Sequence, residues 1–149
     1  MSKRVSNMVS AAPSGKGKKV AIVAPDQDAL ARYVPDLQNW PASWRFDDQD
    51  LPPGQALVEV FTPFLQHLLT LGYARKTLNY HRDHLWMLGG HLIEVRHEDP
   101  DAAAMDARTL VLHQIHKYGG PLISRHLDEQ AQSAFDATCK KLYRFLCPS

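Results

Sequence analysis

Histidines, cysteines and carboxylates are the residues of this chain best suited to chemistry, and their spacing is the first thing to test. Eight histidines are present. His81 and His84 lie three apart, as do His113 and His116, a spacing that sets two imidazoles on one face of a helix. Zinc sites recruit a third or fourth ligand of imidazole or thiolate character, and neither HExxH nor CxxC occurs. His81 also falls on an apolar stripe, so it reads as a packed core histidine. No metal site and no cofactor is expected.

Nucleophilic chemistry finds as little support. Cys139 and Cys147 lie eight residues apart. On one helix that is about 12 Å at 1.5 Å per residue, beyond the roughly 7 Å between Cα atoms that a disulfide spans. Free thiols in a cytoplasmic setting follow. No GxSxG elbow is present, and neither cysteine belongs to a Cys/His signature. Gly15-Lys16-Gly17-Lys18-Lys19 lacks the GxxxxGK[ST] spacing of a phosphate-binding loop. The acidic run Asp47, Asp48 and Asp50 reads as solvated loop. No catalytic residue is assigned, and the chain is expected not to be an enzyme.

Charge is unevenly spread. The net value is +1 over 149 residues, yet Lys3, Arg4, Lys16, Lys18 and Lys19 stand in the first nineteen without an acid. The remainder holds 12 basic and 16 acidic residues. A basic tail on a mildly acidic body can touch nucleic acid or a membrane electrostatically, or simply solubilise. An apolar share of 44% is ordinary for a globular domain. No apolar run approaches the roughly 20 residues of a spanning helix, and Lys3 and Arg4 precede no signal-like apolar stretch. A cytoplasmic protein without membrane contact is the expectation.

The elements that position these residues are helical. Residues 1–19 read as a flexible basic tail, with Val20 to Ala24 as a short extended piece. Asp26 to Tyr33 suits a brief helix ended by Pro35. Pro35 to Pro53 reads as an ordered loop, with Trp40 and Trp44 packed back onto the body. From Gly54, Leu57, Phe61, Phe64, Leu65, Leu68 and Leu69 repeat at three and four, the period of a helix. Pro63 interrupts them, so either Thr62 caps a new helix or one helix kinks. After Gly72 a second helix carries Leu78, His81, Leu85, Leu88, Leu92 and Val95 on one face. Gly89-Gly90 within it implies close packing or a break. Pro100 is read as its stop. A third helix is expected from Asp106 to Lys117, then a turn at Gly119-Gly120-Pro121. The last starts at Asp128 and presents Ala131, Ala134, Phe135, Cys139, Leu142 and Leu146.

One segment says more than the rest: Gly72-Tyr73-Ala74-Arg75-Lys76-Thr77-Leu78-Asn79-Tyr80-His81-Arg82-Asp83-His84-Leu85. It resembles the SAM-like core-binding domain that forms the N-terminal part of tyrosine recombinases and phage integrases. In that family a helix ends at a glycine turn, a Ser-x-x-Thr pattern opens the next, and basic residues and a leucine follow. Thr77, Leu78, Asn79, Arg82 and Leu85 match. Ala74 stands where the capping serine is usual, and His81 where a tyrosine is common. The stripe from Phe61 to Leu69 is similar to the preceding helix, and Lys140-Lys141-Leu142-Tyr143-Arg144-Phe145-Leu146 to the closing one. Leu85-Trp86-Met87-Leu88-Gly89-Gly90 departs from the family and is closer to small bacterial proteins of the same helical type.

The resemblance implies an all-α, four-to-five-helix SAM-like bundle with a flexible N-terminal arm: a tail at 1–19, a Pro/Trp-rich extension at 20–53 and a helical domain at 54–147. It also implies grip without chemistry. The family cleaves DNA with a tyrosine supported by arginines and an HxxR signature, and no histidine here is followed by arginine three residues on. Arg75, Lys76, Asn79 and Arg82 are the expected DNA-binding residues, meeting backbone phosphates of duplex DNA. The implied function is that of a non-catalytic accessory domain in a mobile-element setting. The alternative is a protein–protein adaptor of the same fold, which would show an exposed apolar patch near Trp40 and Trp44.

Overall fold

The computed structural model describes residues 25–123 and 127–148. The tail at 1–19 and the piece at Val20 to Ala24 lie outside them. All the described elements are helical, and no strand forms among the described residues beyond one isolated bridge between His116 and Gly119. The chain is all-α. Its contacts divide after Pro35. The described part of the first unit is one helix, α1 (Pro25–Tyr33), and the second unit begins at Asp36.

The second unit opens where a loop is expected, and the structure corrects that expectation. Residues 36–50 instead form two single 3-10 turns around a short helix, α2 (Trp40–Trp44). The prolines cause this rather than prevent it. Pro41 sits in the first turn of α2, and Pro52 and Pro53 open α3 (Leu51–Leu69), where a missing N–H costs nothing because that turn has no partner for it. The tryptophans do pack inward, Trp40 at 2% and Trp44 at 6% exposure.

Helix α3 runs through Pro63 without ending. Thr62 does not cap a new helix; its hydroxyl donates back to the Val58 carbonyl at 2.7 Å. Pro63 and Glu59 both face solvent, so water can serve the carbonyl that Pro63 leaves without a donor. Leu57, Phe61, Phe64, Leu65 and Leu68 are buried on the face the heptad-like spacing marks. Gly72 closes the turn that follows with φ of 73°, a left-handed backbone that glycine adopts at no steric cost.

Helix α4 (Arg75–Glu98) is the axis of the unit, about 36 Å long at 1.5 Å per residue. It packs against α2, α3, α5 (Pro100–Ala103), α6 (Ala107–Gln114) and α7 (Glu129–Leu146). Gly89 and Gly90 do not break it. They make room for the Trp44 ring. Pro100 does more than stop α4: Asp99 caps a new turn through the Asp101 amide at 2.9 Å. The third helix ends at Gln114 rather than Lys117, because Ile115 is extended and His116 and Gly119 close a turn by two main-chain bonds. Asp106 and Asp128 cap α6 and α7 through the amides of Thr109 and Ala131, each worth about 1 kcal/mol. No described helix is long and apolar enough to cross a membrane.

Candidate nucleic-acid interface

The start of α4 is chemically open. Its N-cap, Ala74, has the extended backbone of a cap (φ −62°, ψ 154°) but no side chain to accept a bond. The first helical bond of the segment is Leu78 N–H to the Ala74 carbonyl at 3.0 Å. The amides of Arg75, Lys76 and Thr77 therefore lack a helical acceptor, and they carry the partial positive charge of the helix dipole. Arg75 and Lys76 are exposed on this turn.

The four residues expected to bind DNA do not share one environment. Arg75, Asn79 and Arg82 follow one another at i, i+4 and i+7 along one stripe of α4. Asn79 is half-buried. Arg82 Nε donates to Asp83 Oδ1 at 3.0 Å, so its charge is partly spent locally. Lys76 Nζ lies 6.0 Å from the Tyr80 ring centre, and Tyr80 in turn stacks on His84 at 6.2 Å. The open cations of the set are Arg75 and Lys76.

Tertiary packing brings other cations to this end. Between the end of α3, the Gly72 turn and the end of α7 lies a groove of about 490 Å³, lined among others by Phe64, His67, Tyr73, Lys141, Arg144 and Phe145, with no carboxylate among the described residues of its wall. Lys141 Nζ sits 5.6 Å from the centre of the Tyr73 ring, so Tyr73 joins the groove to the first turn of α4 two residues later. Sequence reasoning missed Lys141 and Arg144 as binding residues. Their signal was an i, i+3 basic pair lying off the apolar stripe of α7, Phe135, Cys139, Leu142 and Leu146.

A buried relay holds the two helices in register. Thr138 Oγ1 of α7 lies 2.7 Å from His81 Nδ1 and 2.7 Å from His84 Nδ1, both on α4. A hydroxyl has one proton, so it donates to one ring and accepts from the other. His81 Nε2 is buried without a partner. An unpaired acceptor is the more common exception to buried pairing than an unpaired N–H, which puts the His81 proton on Nδ1 and directs the Thr138 hydroxyl to His84. Burial, with Lys141 and His84 adding repulsion, depresses the His81 pKa to about 4. Burial also lowers that of His84, against the opposing pull of Asp83. His81 is thus a neutral core histidine, as the apolar stripe implies.

A second cluster joins Asp47, Asp50 and His97, whose ligand atoms lie within 4.8 Å of one another. The acidic run is not all solvated: Asp50 is 2% exposed. Its carboxylate accepts from the amides of Phe46 at 2.8 Å and Asp47 at 3.2 Å, and pairs with His97 Nε2 at 2.9 Å. Burial alone would raise its pKa; the bonds from His97 and the two amides outweigh that and hold it below the usual value. The bond from the Asp47 amide is one half of a capping box on the turn before α3, and the bond to His97 ties that turn to the end of α4. Both cysteines are free thiols. Burial, with Asp136 adding to it, pushes that of Cys139 up to about 12, far from a reactive thiolate.

Comparison with known proteins finds no matching family model, no matching curated protein and no matching solved structure, so the likeness to tyrosine recombinases stays a reading of the residues between Gly72 and Leu88.

Proposed function

We propose that this chain is a non-catalytic DNA-binding accessory domain that grips the phosphate backbone of a duplex with the first turn of α4. The observation that carries the proposal is the uncapped start of a long helix, with Arg75 and Lys76 on its open turn. Free amides and cations at a helix N-terminus are a ready anion site. The likeness of Thr77, Leu78, Asn79, Arg82 and Leu85 to recombinase core-binding domains points the same way. The rings of Trp40 and Trp44 are themselves buried, so an adaptor would use the exposed rings beside them, Phe46 and Trp86.

The test is fluorescence anisotropy against random duplex DNA at several salt concentrations. Phosphate contacts by Arg75 and Lys76 imply a log–log slope of about −2, and Arg75→Ala with Lys76→Ala should bring it near zero. Arg82→Ala should change it less, because Asp83 already holds that guanidinium. Absence of binding at low salt overturns the proposal.

A further inference from the structure

The groove beside the proposed duplex-binding turn has a composition that gripping a duplex does not require. Phosphate contacts need cations and amides, whereas this wall also carries the rings of His67, Tyr73 and Phe145. Tyr73, which lies against His81, and Phe145, which lies against Phe64 and His67, are half-buried, and His67 is exposed. The bases of a duplex are stacked on one another and cannot reach such rings. Unpaired bases can.

The charge in the groove points the same way. Lys141 and Arg144 meet no carboxylate among the described residues. Cations near a helix C-terminus commonly serve its free carbonyls, and one of these, that of Leu146, already accepts from Arg108 Nη2. Arg144 is left facing an open groove. Its volume of about 490 Å³ falls within the roughly 300–1,000 Å³ of small-ligand sites. Aromatic rings interleaved with cations, one base and one phosphate per unit, are how proteins hold single-stranded nucleic acid.

We propose that the groove between the end of α3 and the end of α7 takes an unpaired nucleotide of a DNA strand, its base on the Tyr73 and Phe145 rings and its phosphate on Lys141 and Arg144. The inference rests on the duplex-binding reading and deepens it: the preferred substrate is a duplex with a single-stranded extension.

The experiment uses the full chain and labelled probes: a blunt duplex, the same duplex with a short oligothymidine tail, and the oligothymidine alone. The tail should raise affinity about tenfold, the worth of a stacked base. Arg144→Gln, on an exposed position, and Tyr73→Leu should each remove most of that gain and leave blunt-duplex affinity within about twofold. A circular-dichroism melt checks that both variants remain folded; Arg144→Gln carries the test if Tyr73→Leu does not fold. Equal affinity for blunt and tailed duplex overturns the groove proposal and leaves the duplex reading standing. Binding of oligothymidine without binding of blunt duplex does the reverse. Displacement of the tail by polyglutamate as readily as by oligothymidine shows a general polyanion or acidic-protein surface and also overturns it.

Discussion

The indole N–H of Trp44 donates to the main-chain carbonyl of Trp86 at 2.9 Å, and its ring fills the space that Gly89 leaves open on α4. The Trp86 indole answers with a bond to Ser43 Oγ at 2.9 Å. A methyl group at position 89 would overlap the six-membered ring of Trp44. Gly89→Ala should therefore destabilise the protein by about 1–3 kcal/mol, the usual cost of overpacking a core. At position 90 the nearest Trp44 atom would lie 3.3 Å away, and alanine also gains about 1 kcal/mol of helix propensity. Gly90→Ala should be close to neutral. Urea midpoints of the two variants check the contrast; equal effects would refute the seat at Gly89.

Ala74→Ser should move stability and DNA binding in opposite directions. The position already has the backbone of a cap, so a hydroxyl should add about 1 kcal/mol of stability. The same hydroxyl would occupy an amide that the proposal assigns to phosphate, and affinity for duplex should fall severalfold. A thermal melt and a DNA titration on one preparation check both signs. Greater stability with unchanged affinity would take the α4 amides out of the interface.

Acidification should loosen the α4–α7 packing before it reaches the carboxylates. His81 has a folded pKa of about 4 against 6.5 unfolded. Between those values the unfolded chain binds the extra proton, so stability falls as pH drops from about 6.5 toward 4 and is full above that window. By pH 5 the loss from His81 is on the order of 1–2 kcal/mol. His84 and His91, also lowered by burial, add to it with the same sign. Asp50 acts lower: its depressed pKa gives stability present above the unfolded value of 3.8 and lost as pH falls through the folded one. His81→Leu should shrink the stability difference between pH 7 and pH 5, measured by chemical denaturation. An unchanged difference would place the sensitivity elsewhere.

What the sequence alone determined is local. The stripes of α3, α4 and α7 and the caps at Asp106 and Asp128 are written in spacings of three and four residues, because hydrogen bonds and side-chain neighbours within a helix reach no further. Arg75 and Lys76 were legible as an exposed basic turn for the same reason, and so was the odd alanine at position 74. The short-range exceptions were prolines, whose first-turn positions look like loop signals until a cap such as Asp99 before Pro100 is seen to serve them.

Tertiary structure decided whatever joins distant segments. His81 meets Thr138 across 57 residues, His97 meets Asp50 across 47, and Trp44 meets Trp86 across 42. No periodicity encodes such pairs; they follow from which helix faces bury one another. The same packing set Lys141 over Tyr73, and so turned two ends of separate helices into one basic, aromatic groove.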